Sequence, residues 1–97
     1  MTEIDIRRED GETGGRWVAI VDGHEAQAVY SRVNDQLVII DHTDVPDALR
    51  GRSVGKALIS RAVEDARAES FQVIPLCPFA KALFDKTPDW ADVRKGA

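Results

Sequence analysis

Leu37-Val38-Ile39-Ile40, then Asp41-His42-Thr43-Asp44-Val45-Pro46-Asp47-Ala48-Leu49, then Arg50-Gly51-Arg52-Ser53-Val54-Gly55-Lys56-Ala57, is the stretch whose reading decides the fold. Four consecutive aliphatics read as a central strand covered on both faces. A polar, proline-containing loop follows and enters a Gly-flanked basic segment that opens a long helical pattern. Strand, loop and cationic helix start together make an anion-binding arrangement. The first-turn amides of a helix have no intrahelical partner, and the aligned peptide dipoles concentrate positive charge at that end. Arg50, Arg52 and Lys56 add side-chain charge, with no acid between Leu49 and Glu64. The segment therefore reads as a phosphate site.

Working outward, Ile4 and Ile6 alternate with polar neighbours and give way to Glu9-Asp10-Gly11 and Gly14-Gly15, a short first strand and a turn. Arg16 to Val21 is a β-type run closed by the turn pair Asp22-Gly23. Glu25 to Val33 continues the alternation up to Asn34-Asp35, and Gln36 to His42 is the fourth strand. Short loops between four strands imply an antiparallel meander. From Ser53 to Glu69 the period changes: Val54, Leu58, Ala62 and Ala66 are spaced by four, with charges on the opposite face. Phe71, Val73, Ile74 and Leu76 form a fifth strand ending at Pro75 and Pro78. A second helix spans Ala80 to Lys86, and Asp89 to Lys95 is expected as a frayed final turn or short helix. The fold class is α+β, with a crossover helix adding the fifth strand parallel to the fourth.

Bulk properties narrow the function. The 97 residues accommodate one domain, residues 1–97, with 43% hydrophobic and 31% charged residues in the ordinary globular range. A net charge of -4 argues against a nucleic-acid partner, whose affinity rests on many Lys and Arg. Cys77 is the single cysteine and has no internal disulfide partner; Met1 to Asp10 is too charged for a signal peptide. The sequence contains no apolar run of membrane-spanning length, so a cytoplasmic protein without a membrane partner is expected.

Two phosphate-binding templates fail. The P-loop needs four residues between its glycines and Ser or Thr after the lysine, whereas three separate Gly51 from Gly55 and Ala57 follows Lys56. A Rossmann fingerprint is absent, and the preceding strands form a meander with no opening βαβ unit. The pattern that fits is R-x-x-S-x-G, carried by Arg50, Ser53 and Gly55. On its own it is equally compatible with a basic helix start whose glycine permits close packing.

This hexapeptide resembles the Q/R-x-x-G-x-G/A pyrophosphate motif of the GNAT acetyltransferase superfamily. Together with Asp41-His42-Thr43-Asp44-Val45-Pro46, Ala66-Arg67-Ala68 and Val73-Ile74-Pro75-Leu76-Cys77-Pro78-Phe79, it resembles the small single-domain branch around N-acetyltransferase domain-containing protein 1. Ser53 departs from the motif by standing at a glycine position, and Thr87-Pro88-Asp89-Trp90 replaces the more usual His- or Asn-Pro-Glu-Tyr. The resemblance implies a minimal GNAT-like fold and acetyl-coenzyme A between the diverging ends of the fourth and fifth strands. It implies that Thr43, Asp44 and Val45 pair through their backbone with the pantetheine. Arg50, Gly51, Arg52, Ser53, Val54, Gly55, Lys56 and Ala57 are implied to hold the pyrophosphate, and Pro78, Phe79 and Phe84 to pack along the cofactor, although Phe84 at this helical spacing is more often simply core.

Transfer to an amine needs further groups. An ammonium of pKa about 10.4 is neutral in roughly one molecule in two thousand at pH 7, so transfer benefits from a base, and the departing thiolate from an acid. Cys77, after the fifth strand, is the candidate acid or transient nucleophile, balanced against a small buried hydrophobe at a strand end. His42 is the candidate base, balanced against a histidine bonding a loop backbone group. Members of the superfamily that the chain resembles usually place helices between their first two strands, where they help wall the acceptor side; here a turn joins Ile6 to Trp17 with no room for them, so an open acceptor site is expected, suited to a protein, peptide or polyamine amine. The expected assembly is a monomer or weak homodimer. A coenzyme A binding module with little catalysis, and a domain recognising a phosphorylated partner, are the rival readings. No Cys/His cluster has metal-ligand spacing.

Overall fold

The computed structural model describes residues 4–95. Its elements are β1 (Ile6–Asp10), β2 (Gly14–Val21), β3 (His24–Asn34), β4 (Leu37–Asp44), a 3-10 turn (Asp47–Leu49), α1 (Val54–Glu69), β5 (Gln72–Pro75), α2 (Pro78–Lys86) and a second 3-10 turn (Pro88–Trp90). The strands form one sheet in the order β1-β2-β3-β4-β5. The first four pair antiparallel, and β5 joins β4 in parallel across the α1 crossover. The turn between β2 and β3 has positive φ at both Asp22 and Gly23, matching the twist of a two-residue hairpin.

One face of the sheet carries the core. Trp17, Ala19, Ala26, Ala28, Tyr30, Val38, Ile40 and Val73 point toward Val54, Leu58, Ile59, Ala62, Val63 and Ala66 of α1 and toward Ala80 and Phe84 of α2. Leu58 and Ile59 are fully buried, and truncating either to alanine costs about 2–5 kcal/mol by lost transfer energy and cavity formation. Among the described residues no helix lies over the other face. Ile20, Val33 and Leu76 are exposed there, and Leu37 and Ile39 are only half-buried while Val38 and Ile40 are enclosed. The aliphatic run of β4 is therefore covered on one face only, a departure from the cover on both faces that its composition suggests.

Two ends of the chain also differ from the sequence reading. The first strand runs on to Asp10, and the charges of Arg8, Glu9 and Asp10 are paired. Arg8 reaches Glu69 and Asp65 of α1 as well as Asp10, Glu9 bonds Arg16, and the Tyr30 hydroxyl donates to Asp10. Trp17 Nε1 donates to Asp65 at 2.7 Å in the same network. Charged residues suit an edge strand, where they also discourage pairing with another chain. At the other end, Pro78 opens α2 at a position whose missing N–H is no loss. The last segment is tied down: Val73 N–H donates to Val93 C=O at 2.7 Å, Lys95 N–H donates to Val73 C=O at 2.8 Å, and Arg94 bridges Val73 in parallel. Trp90 and Val93 are buried beneath this strap, which covers the free edge of β5.

Candidate active site

The sheet opens between its last two strands. Pairing of β4 with β5 ends at Ile40 and Pro75, and the last link is the Cys77 N–H to the Ile40 C=O at 3.0 Å. Beyond it His42 to Asp44 stay on β3 while the chain leaves β5 for α2, so a gap widens between the two strands. A cleft of about 540 Å³ runs from this gap to the start of α1.

At the α1 end the loop is sharply wound. Gly51 has φ 80° and Ser53, the residue before the helix, has φ 60° and ψ 23°. Glycine accepts this left-handed conformation freely, whereas serine carries a strain of about 1–2 kcal/mol. The Ser53 side chain makes no capping hydrogen bond, and α1 has no acid in its first turn. The first helical bond is that of Ala57 N–H to Ser53 C=O at 3.0 Å, so the amides of Val54, Gly55 and Lys56 have no intrahelical acceptor. These three residues, with Arg50, Gly51 and Ser53, line the cleft. Unpartnered amides, two cations and a free hydroxyl without a carboxylate in the turn form a donor set that fits a pyrophosphate.

The cations are not equivalent. Arg50 meets Asp47 at 3.1 Å with both side chains largely exposed, a contact worth little in water. Lys56 takes part in no salt bridge among the described residues. Arg52 turns away from the cleft to Asp22 at 2.6 Å, and this hydrogen bond holds the Asp22 carboxyl below its ordinary pKa. Arg52 thus ties the loop to the β2–β3 turn. Ala57 lies on a separate groove with Ile4 and Ile6.

The middle of the cleft is apolar. Val45, Leu49, Val54, Phe79 and Leu83 form its walls. Phe79 lies directly over Gly55: a Cβ there would come within 2.6 Å of the ring's Cζ, and 3.4 Å from a Val45 methyl. Gly55 is therefore the residue that lets α2 close against α1. Leu49 and Leu83 are cleft residues that the motif does not mark; Leu83 stands four residues after Phe79 on α2, and that spacing is the signal the sequence offers. Phe84 faces the core instead, edge-on to Trp90 with ring centroids 5.2 Å apart, and Pro78 is exposed at the helix start.

At the gap, Thr43 lines the cleft and its Oγ1 lies 3.6 Å from the Cys77 Sγ. Cys77 is buried beneath that wall and immediately precedes α2. Burial pushes its pKa up, but the backbone of Ala80 in the first turn of α2 and the Thr43 hydroxyl outweigh it, so the thiol is more acidic than an ordinary cysteine. His42 is exposed, pairs with Val29 and does not line the cleft. Asp44 borders a smaller groove with Glu25, Gln27, Val45 and Pro46, so Val45 is shared by the two depressions. Among the described residues no set of three side chains able to hold a metal converges.

A five-stranded α+β domain with a parallel fifth strand, a split between strands four and five, and an acid-free helix start beside it together frame the cleft. The sequence profile of the GCN5-related N-acetyl-transferase family matches residues 16–93, and the chain belongs to that family. A GCN5-like protein from Staphylococcus aureus, solved by NMR, superposes with a TM-score of 0.72 at 33% identity, covering 94% of this chain and 89% of that one. Protein NATD1 from Bos taurus is 28% identical over 85 residues, 86% of this chain and 75% of that protein.

Proposed function

We propose that the cleft holds acetyl-coenzyme A and that the protein moves the acetyl group to an amine. The observation that carries this reading is the continuity of one cleft from the acid-free start of α1 to Thr43 above Cys77. When bound, acetyl-coenzyme A supplies an activated thioester. The amides of Val54, Gly55 and Lys56, with Arg50, Lys56 and Ser53, hold the pyrophosphate. Val45, Leu49, Phe79 and Leu83 exclude water along the pantetheine, with the backbone of Thr43 to Val45 as its hydrogen-bonding edge.

The cofactor would supply an acetyl carbon to the amine nitrogen and a thiolate as the leaving group, which takes the electron pair of the broken carbon–sulfur bond. Cys77 supplies a proton to that sulfur, or its own sulfur takes the acetyl group first and passes it to the amine. His42, on the face of the sheet away from the cleft, takes the ammonium proton from an acceptor approaching through the gap. The open sheet face suits a protein, peptide or polyamine acceptor. The reaction is placed in the cytosol, where a lone thiol stays reduced, with a monomer or weak homodimer as the working unit.

A second reading, coenzyme A binding with little transfer, is favoured by the exposure of His42 away from the cleft. Amine-dependent release of free thiol from acetyl-coenzyme A across lysine peptides and polyamines decides between them. Release above the hydrolysis background supports transfer; binding without release leaves the binding module, and absence of both contradicts the cofactor assignment.

A further inference from the structure

The residues that reach the cleft from β4 are selected by one irregularity. In the β3–β4 ladder Val29 pairs with His42 and Tyr30 with Ile40, so Asp41 has no partner. This is a β-bulge, and because side chains alternate along a strand one extra residue exchanges the two faces. Before the bulge, Val38 and Ile40 point to the helices. Unbroken alternation would next send His42 and Asp44 to that side. With the extra residue, Thr43 and Val45 line the cleft, while His42 is exposed and Asp44 borders the outer groove.

One side-chain contact fastens this irregularity. Ser31 Oγ, on the neighbouring strand, donates to the Asp41 carboxylate at 2.5 Å, and both residues are half-buried. Among the described residues Asp41 takes part in no salt bridge, so the serine hydroxyl is its side-chain partner. Asp41 also directly follows Ile40, whose carbonyl takes the last hydrogen bond from the β5 side. The bulge thus turns β4 at the point where the sheet splits.

We infer that Ser31 and Asp41 are positioning residues: their hydrogen bond locks the β4 register that puts Thr43 and Val45, rather than His42 and Asp44, on the pantetheine side of the cleft. The inference rests on the coenzyme A reading. The lock acts on the strand wall alone, since the pyrophosphate donors sit on the other side of the cleft at α1. Loosening it therefore weakens ligands that carry a pantetheine arm and spares those that carry only the nucleotide diphosphate.

The test compares coenzyme A with ADP by calorimetry. Ser31→Ala removes a hydrogen bond to a charged acceptor and is expected to weaken coenzyme A about tenfold, with ADP affinity unchanged. Ser31→Thr keeps the hydroxyl and is expected to restore coenzyme A binding. Asp41→Ala should give the same ligand split, and the double variant no further loss. If Ser31→Ala does not fold, Asp41→Asn, which keeps a neutral acceptor, is expected to give a smaller loss confined to coenzyme A. Equal losses for both ligands, or no loss for either, would overturn the register lock while leaving the cofactor reading intact. Wild-type protein that binds coenzyme A no better than ADP would overturn both.

Discussion

The Cys77 sulfur lies 3.6 Å from the Thr43 hydroxyl, across the gap that opens where β4 and β5 part. Burial raises the thiol's pKa, but the backbone of Ala80 and this hydroxyl together hold it below the ordinary cysteine value. Thiolate absorbance against pH should therefore rise at lower pH in the folded chain than in the same chain unfolded in guanidinium. As a proton donor or nucleophile, Cys77 replaced by alanine should lose about 10²-fold or more in kcat, with little change in KM for acetyl-coenzyme A. Full turnover in Cys77→Ala would reduce the residue to a core contact.

Lys56 and Arg52 carry the same charge but face different neighbours. Lys56 lines the cleft, while Arg52 is held by Asp22 at 2.6 Å. Lys56→Ala should weaken coenzyme A by about tenfold, the loss of one charge-assisted contact. Arg52→Ala should change affinity by less than about threefold, because its partner is a surface carboxylate outside the cleft. Titration of both variants at one ionic strength gives the comparison.

Ser53 stands at φ 60° in a loop that also contains Gly51 at φ 80°. Ser53→Gly should stabilise the fold by about 0.5–1 kcal/mol in denaturant unfolding, and Gly51→Ala should destabilise it by about 1–2 kcal/mol. Opposite signs at two neighbouring residues would tie the effect to backbone conformation rather than to side-chain contacts.

Acid should unfold the protein through specific carboxylates. Asp10, Asp22, Asp85 and Asp92 all have pKa values lowered in the folded state: hydrogen bonds from Tyr30 and Arg8 outweigh the upward push of burial at Asp10, and Arg52, Arg94 and Arg67 bond the others. A depressed carboxylate contributes stability that is present above its unfolded pKa, about 3.9, and is lost as pH falls through the folded value. The melting temperature should hold from pH 7 to about 5 and drop below about pH 4. Replacing Asp10 by Asn should lower it at pH 7 and flatten that drop.

Much of this arrangement is legible in sequence where local chemistry decides it. The Asp22-Gly23 turn, the four-residue spacing from Val54 to Ala66 and the acid-free segment Arg50 to Ala57 each act through neighbours in the chain. What escapes depends on distant partners. The charge of Arg8 is met by Glu69, 61 residues away, and Val93 is tied to β5 by the Val73 N–H. The faces taken by His42 and Thr43 depend on the unpaired Asp41, which no local pattern announces. Arg52 differs from Lys56 only through Asp22, brought near by the hairpin. The half-covered β4 shows the same limit: four aliphatics record that a strand is apolar, not which layers the rest of the chain supplies.

The most direct measurement is a thermal-shift comparison of acetyl-coenzyme A, coenzyme A, ATP and NAD. Ligand at about 100 times its dissociation constant adds roughly 2.7 kcal/mol, which in a domain of this size raises the midpoint by roughly 10 °C or more. Acetyl-coenzyme A and coenzyme A should both produce such a shift, with ATP and NAD well below them. Equal shifts from all four, or none from the coenzyme A pair, would contradict the assignment of the cleft.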